Sequence, residues 1–168
     1  IYNPALANGS YSVQILGKGG ATGVALAEIY DASSGTFNRT APRLVNVSAR
    51  TQVGEGDNIL IAGFAIGGTT PVRLLIRAVG PTLGAFGVGG VLADPKLEVL
   101  SGSTKIAEND NWLAADAAIF GTVGAFNLTA RSLDAALVVF LAPGTYTAQI
   151  SGVRATTGVA LVEIYELP

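Results

Sequence analysis

The residues best suited to chemistry in this 168-residue chain form one short run rich in carboxylates and amides. It reads Glu108-Asn109-Asp110-Asn111-Trp112. Hard cations such as Ca²⁺ bind carboxylate, amide and backbone carbonyl oxygens, and this run supplies side-chain oxygens at adjacent positions. Its spacing differs from that of an EF-hand loop. We therefore predict that a cation, where one binds, is Ca²⁺-like and is held by Asp110 with Asn109 or Asn111. We predict no other cofactor.

The same run also has an interpretation without a ligand. Asn and Asp favour turns and helix N-caps for purely local reasons. In this interpretation Asp110 or Asn111 caps a short helix over Leu113–Phe120, and Trp112 fills the core. We favour the capped turn for this local reason.

Residue types that the sequence lacks exclude most other chemistry. There is no Cys, no His and no Met. Disulfides, thiolate nucleophiles, the usual zinc and copper ligands and every His-based triad are therefore excluded. Carboxylate chemistry is still compatible with the composition, but no nucleophile motif accompanies it. We predict no catalytic centre, and so no enzyme.

Charge is sparse and shows no preference for an anionic or lipid partner. The net charge is −2, and no basic stripe is present that could neutralise phosphates, so we predict no nucleic-acid partner. The longest apolar run, Ala135–Leu141, is far too short to span a membrane as a helix. Charged residues make up 13% of the chain, against about a quarter in ordinary domains. This deficit indicates that neighbouring molecules cover much of the surface in the working state.

Three weaker patterns suggest ligand or glycan sites. Two of them are better explained as a structural loop and as core packing, and the third depends on whether the host glycosylates. The loop Gly84–Gly90 resembles a phosphate loop but lacks the following Lys-Ser/Thr. Trp112 with Tyr146 or Tyr165 could form a sugar-stacking platform, although aromatic residues are so few that core packing is favoured. A glycan is a further predicted partner if the host glycosylates, because four Asn-X-Ser/Thr sequons occur, at Asn8, Asn38, Asn46 and Asn127.

Charged residues inside two apolar strands leave two alternatives open. Glu28 and Glu163 interrupt such strands at matched positions, and Arg73 and Arg77 lie on one face of another strand. Either a Glu and an Arg form a partly buried pair, which would favour register more than stability, or the Glu faces solvent.

The elements that carry these residues are short strands separated by Gly, Pro and Asn. β-branched content and flanking turn residues predict ten strands, one short helix and a glycine-rich loop over Gly80–Gly90. The predicted strands are Tyr11–Leu16, Val24–Tyr30, Leu44–Ala49, Asn58–Ile66, Val72–Val79, Leu97–Leu100, Lys105–Ala107, Ala135–Leu141, Thr145–Ser151 and Val159–Tyr165. We predict an all-β fold, an antiparallel and jelly-roll-like β-sandwich.

An internal repeat is the strongest signal in the sequence. Leu6–Asp31 reads LANGSYSVQILGKGGATGVALAEIYD, and Leu141–Glu166 reads LAPGTYTAQISGVRATTGVALVEIYE. The two align without a gap at an offset of 135, and 15 of 26 positions are identical. We predict that each copy forms a β-hairpin. Residues 1–31 would then be a duplicated hairpin, 32–43 a linker and 44–168 the sandwich.

The apolar residues of the first copy must pack against a surface other than the one that the second copy occupies. It could fill a second slot in the same domain, be the tail of a preceding module, or add strands to the edge of a neighbouring subunit. We predict that it is the assembly element. The predicted assembly residues are Tyr11, Val13, Ile15, Val24, Leu26, Ile29 and Tyr30.

An ordered series of motifs resembles a repeat module of large secreted or surface proteins of environmental bacteria. The motifs are RLVNVSARTQVGEGDNILIAGFAIGG, LLIRAVGPTL, FGVGGVLADPKLEV, IAENDNW, LAPGTYTAQISG and TGVALVEIYEL, spanning about Arg43 to Leu167. The resemblance implies modules in tandem, each EIYD-type ending leading through a short linker into the next RLVN start. Asp31–Asn46 repeats that junction. The resemblance implies an extracellular or cell-surface role, and it does not imply an activity.

Two functions follow as expectations. The first is a structural subunit of an extracellular filament or tandem surface protein, whose partner is itself and which assembles head to tail by strand donation. The alternative is a carbohydrate- or surface-binding sandwich, by analogy of fold. The chain opens at Ile1, as expected of a processed secreted chain or an excised segment.

Overall fold

Eight strands in two sheets make up the larger of two units of this chain. The computed structural model describes residues 6–32 and 43–168, and its two units are Ile1–Leu44 and Val45–Pro168. The larger unit is an antiparallel β-sandwich with one short α-helix, which confirms the predicted fold class. Its strand count is eight rather than ten, because neither strand predicted before residue 44 forms.

The strands divide equally between the two sheets. In chain order they are β1 (Asn46–Val53), β2 (Leu60–Ile66), β3 (Val72–Val79), β4 (Pro95–Ser101), β5 (Thr104–Asn109), β6 (Ala135–Leu141), β7 (Gly144–Gly152) and β8 (Gly158–Glu166). The first sheet has the order β1-β8-β3-β6 and the second β2-β7-β4-β5. Every pairing within these sheets is antiparallel. Strands β7 and β8 are therefore interior strands, each flanked on both sides.

The core lies in two layers, one on each face of the first sheet. Alternating residues of β7, such as Ala148 and Ile150, pack between the sheets against the inward residues of β3 and β8. The outer face of the first sheet is covered by a 3₁₀ helix at Pro81–Phe86, by the helix α1 (Ala117–Thr122) and by the segment after it. Strand β8 is consequently buried or half-buried at every position, which explains its nearly continuous apolar sequence.

The segment predicted to form the C-terminal hairpin does not form one. Strand β7 pairs with β2 and β4, whereas β8 pairs with β1 and β3, so the two consecutive strands belong to different sheets. A 3₁₀ turn at Val153–Ala155 carries the chain from one sheet to the other. Strand β7, this turn and β8 together form an arch. The hairpin prediction is wrong because the spacing of two strands along a sequence does not decide whether they pair with each other.

The described part of the smaller unit, residues 6–32 and 43–44, contains a 3₁₀ turn at Lys18–Gly20 and no strand. The predicted strands Tyr11–Leu16 and Val24–Tyr30 are thus absent, although their sequences nearly repeat those of β7 and β8. A strand is defined by hydrogen bonds to a neighbour, and no strand pairs with these segments. Most of the predicted linker, 33–42, lies outside the described residues.

Two smaller predictions also need correction. The helical segment begins with a 3₁₀ turn at Ala114–Asp116, where the carboxylate of Asp116 accepts the backbone N–H of Leu113, so neither Asp110 nor Asn111 is the cap. The loop predicted over Gly80–Gly90 is in part helical, as the 3₁₀ helix at Pro81–Phe86 shows.

Candidate assembly site

The seven predicted assembly residues are all exposed. Their side chains are between 56% and 92% accessible to solvent. At the equivalent positions of the arch stand Tyr146, Ala148, Ile150, Val159, Leu161, Ile164 and Tyr165, all of which are buried or half-buried. The same sequence thus presents to solvent in the first copy what it packs into the sandwich in the second.

Residues Leu6–Asp31, called the N-terminal copy from here on, already adopt the local conformation of the arch at its first turn. The hydroxyl of Tyr11 donates a hydrogen bond to the carbonyl of Ala7 at 2.7 Å. In the arch, Tyr146 donates to Ala142 at 2.9 Å. Both bonds close the same four-residue interval in front of the strand position, so this turn forms without help from the sandwich.

The turn between the two halves is also matched. Its leading glycines have nearly the same backbone angles, with φ −69° and ψ 128° at Gly17 against φ −88° and ψ 135° at Gly152. Within the turn, Gly19 has φ 64° and ψ 24°, and Arg154 has φ 55° and ψ 37°. The N-terminal copy places glycine where the arch forces arginine into the left-handed region, which glycine enters without steric cost.

A fully buried arginine marks the centre of the place that β8 occupies. Arg77 of β3 lies directly opposite Glu163 of β8 in the register, and it donates from Nε at 2.9 Å and from Nη2 to the Oε2 atom of that carboxylate. Its Nη1 donates to the carbonyl of Phe126 at 2.6 Å. Of the two alternatives left open by the sequence, Glu163 shows the buried Glu–Arg pair, whereas Glu28 is exposed to solvent.

Aromatic rings enclose the guanidinium of Arg77. The ring centroids of Phe126, Phe120 and Tyr165 lie 4.5, 4.9 and 5.9 Å from its central carbon. The hydroxyl of Tyr165 donates to Oε1 of Glu163 at 2.6 Å. The charged pair is thus satisfied by hydrogen bonds and by cation–π contacts, as a buried ion pair must be to be tolerated.

The N-terminal copy carries one half of this arrangement. The hydroxyl of Tyr30 donates to Oε1 of Glu28 at 2.9 Å, as Tyr165 does to Glu163. For Tyr30 the hydrogen bond to Glu28 is the main cause that raises the pKa, whereas for Tyr165 burial is the larger cause. The carboxylate and the hydroxyl are therefore arranged in the N-terminal copy as they are in the arch.

A second buried centre went unnoticed in the sequence. Asp134 is fully buried and accepts hydrogen bonds from the backbone N–H groups of Gly80 and Thr82, at 2.7 and 3.3 Å, and from the hydroxyls of Thr82 and Ser132. It joins the end of β3 to the segment before β6. Two of its partners, Gly80 and Thr82, lie more than fifty positions away, so no local spacing could have identified the whole cluster.

The predicted cation ligands form a hydrogen-bonded turn. Asn109 accepts the N–H of Ala136 at 3.1 Å through its side-chain oxygen and donates to the carbonyl of Asn111 at 3.0 Å. Asn111 in turn donates to the carboxylate of Asp110 at 3.3 Å. Within 6–32 and 43–168 there is no group of three or more acidic side chains arranged to hold a metal ion. Cation binding here stays a prediction.

Four charges beside this turn form an exposed network. The ammonium groups of Lys96 and Lys105 lie within 3.3 Å of carboxylate oxygens of Glu98 and Glu108. Hydrogen bonds from the two lysines lower the pKa of both carboxylates, and those to the carboxylates raise the pKa of both lysines. A polar cavity of about 340 Å³ lies between Lys96 and Asp110.

The residues of the predicted sugar platform make separate contacts. Trp112 stands 5.8 Å from the ring of Phe120, Tyr146 stacks on Phe64 at 5.6 Å, and Tyr165 lies beside Arg77. These contacts are the core packing that the sequence favoured. Among the helices in the described ranges, none has the length and apolar character needed to cross a membrane.

Comparisons with known proteins give likenesses in structure only. No family model matches the chain, and no curated protein matches it. The chain is similar to the pre-peptidase C-terminal domain of a collagenase from Bacillus anthracis, with 10% sequence identity and a TM-score of 0.44. The match covers 71% of this chain and 89% of that one.

Proposed function

We propose that this chain is a non-enzymatic structural module of an extracellular filament or of a tandem-repeat surface or matrix protein. In this proposal the N-terminal copy docks on a neighbouring module and so links one module to the next. The proposal includes membership of the secreted repeat modules that the motif series resembles.

The observation that carries the proposal is the exposure of the N-terminal copy. In an extended conformation both faces of its second half would be apolar, with Val24, Leu26 and Tyr30 on one side and Ala25, Ala27 and Ile29 on the other. Burying five or six such side chains contributes on the order of 10 kcal/mol before the entropy of ordering is subtracted. An exposed apolar surface of this kind is typical of an interaction site.

Sparse charge supports the same conclusion. With 13% charged residues, the module has little of the repulsive surface that keeps monomers apart. Contacts that pass from one module to the next without closing a ring generate a fibre or a string. A docking segment on one end of each module and a sandwich on the other fulfils that condition.

The test compares the full chain with a chain that lacks residues 1–31. Light scattering after size exclusion, and electron microscopy of the same fractions, should show concentration-dependent assembly of the full chain. The truncated chain should stay monomeric and keep its thermal midpoint, because the sandwich contains its own core.

A matched pair of variants separates docking from folding. Leu26→Asp with Ile29→Asp should abolish assembly, whereas Ala21→Asp with Thr22→Asp should leave it intact, since the residues equivalent to Ala21 and Thr22 are exposed in the arch. A full chain that stays monomeric at high concentration, or a truncated chain that still assembles, would contradict the proposal.

A further inference from the structure

We infer that the N-terminal copy docks in the place of β7 and β8 in another module of this fold, with Glu28 and Tyr30 receiving an arginine at the position of Arg77. This place is the interior position between β2 and β4 in the second sheet and between β1 and β3 in the first. The inference rests on the proposed function, in which the copy docks on a neighbour, and it adds the acceptor and its key group.

The conformation of the copy favours a site that spans both sheets over addition of a hairpin to one sheet edge. A hairpin added to an edge must bring two strands into one sheet, whereas the halves of the arch belong to two different sheets. The N-terminal copy has the arch conformation at its first turn, at its middle turn and at its Tyr–Glu hydrogen bond. Only a site that spans both sheets can receive both halves in this conformation.

The charge of Glu28 specifies what the acceptor must contain. In the place of β8 this carboxylate would be buried, and a buried carboxylate without a cation is strongly unfavourable. In the described sandwich the cation is Arg77, directly opposite the equivalent glutamate. An acceptor that buries Glu28 therefore needs an arginine on its third strand. At a sheet edge exposed to water the carboxylate would stay solvated, and no arginine would be required.

Two size differences indicate that the acceptor is a related module. The copy has Val13 where the arch has the fully buried Ala148, and Ala27 where the arch has the buried Val162. The arch therefore fits its own sandwich better than the copy would. An acceptor suited to the copy has more room opposite position 13 and less opposite position 27.

Two equivalent glycines provide a test that uses the full chain. A Cβ atom on Gly158 would stand 2.5 Å from the backbone nitrogen of Leu92, whereas one on Gly23 would meet nothing within 4 Å. Similarly, Ile150 is fully buried and Ile15 is exposed. Ile150→Asp with Gly158→Val therefore blocks the arch, and Ile15→Asp with Gly23→Val makes the same changes in the copy.

We expect the two blocked chains to differ sharply in thermal unfolding, followed by emission of Trp112, which packs in the layer over the first sheet. The copy-blocked chain should unfold at the midpoint of the unmodified chain. The arch-blocked chain should still unfold cooperatively, at a lower midpoint, because its copy takes the vacant place in the same or another molecule. The chain blocked in both should show no transition.

Three further variants of the arch-blocked chain test the details. Val13→Ala with Ala27→Val should raise its midpoint, and Glu28→Leu should abolish its transition. The register places Leu161 opposite Arg50, so Leu26→Cys and Arg50→Cys should form a disulfide within or between molecules in the otherwise cysteine-free chain.

An arch-blocked chain as unfolded as the doubly blocked one would overturn the inference. The inference would also be overturned by an arch-blocked chain that folds and keeps its unfolding transition after Glu28→Leu, or by one whose two introduced thiols stay reduced. These measurements do not involve assembly of the unmodified chain. If that chain stays monomeric while the arch-blocked chain folds, the proposed function fails and the fit of the copy is supported.

Discussion

Tyr30 and Tyr165 occupy the same place in the two copies, yet Tyr30 is 78% exposed and Tyr165 is 8% exposed. Both donate a hydrogen bond to the glutamate two residues earlier, and both follow the same turn. What the copies share is set by residues close together in the sequence. What separates them, pairing and burial, is set by the six strands around the arch. The local conformation is therefore present here without strand formation.

Removal of the buried cation should separate the two glutamates most strongly. Arg77→Met leaves the buried Glu163 without a cation, and we expect it to lower the free energy of unfolding by about 3–5 kcal/mol, measured by urea denaturation. Glu28→Met should leave this free energy unchanged. The double variant Arg77→Met with Glu163→Met should recover much of the loss. A double variant as unstable as Arg77→Met alone would refute the pair as the cause.

Exchange of side chains between the copies should have the next largest effect. Val162→Ala creates a cavity between the sheets, and we expect a cost of about 2 kcal/mol in the same assay. Ala27→Val makes the reverse change on an exposed segment and should cost nothing measurable. Equal effects of the two substitutions would mean that Ala27 is as enclosed as Val162.

The middle turn should respond in the opposite direction. Ala155 has φ 58°, a region that non-glycine residues enter at a cost, and the N-terminal copy has Gly20 at this position. We expect Ala155→Gly to raise the free energy of unfolding by about 0.5–1 kcal/mol, because the strain removed exceeds the added entropy of the unfolded chain. Gly20→Ala should leave the thermal midpoint of the sandwich unchanged. A lower midpoint for Ala155→Gly would show that chain entropy prevails.

The smallest effect concerns the charged network on β4 and β5, which lies outside both copies. The lysines Lys96 and Lys105 lower the pKa of Glu98, so its contribution to stability is present above its unfolded pKa and is lost as the pH falls through the folded value. We expect Glu98→Gln to cost less than about 1 kcal/mol at neutral pH and nothing in strong acid or high salt. Removal of residues 1–31 should not alter this pH dependence. A cost that persists in acid would point to packing instead.

Periodicity and turn residues were sufficient for the eight strands of the sandwich, because alternation and β-branched content are local properties. The pairing of β7 and β8 with other strands was not predictable from their spacing, and the sequence GVRATTG gave no sign of an arch. The copy does carry such a sign. Gly19 and Gly20 stand where the arch has left-handed Arg154 and Ala155, so a comparison of the copies could have located the turn.

The candidate site divides in the same way. Matched glutamates and an arginine on a nearby strand were visible in the sequence, and burial of the pair followed once β8 proved to be covered on both faces. The enclosure of Arg77 by Phe120 and Phe126 depends on a segment more than forty residues away. Such contacts depend on tertiary structure and leave no trace in spacing.

The interior position of the arch also affects how the module is made. On the ribosome β7 and β8 are the last strands to emerge, and until they arrive β1 and β2 have no neighbour in either sheet. Neither sheet can close before synthesis of the module is complete, although domains otherwise tend to fold from the N-terminus as they appear. The N-terminal copy leaves the ribosome before any of the eight strands, and its sequence matches that of the arch, which arrives last. A nascent module therefore waits for its final two strands with a close duplicate of them already attached to its own leading end.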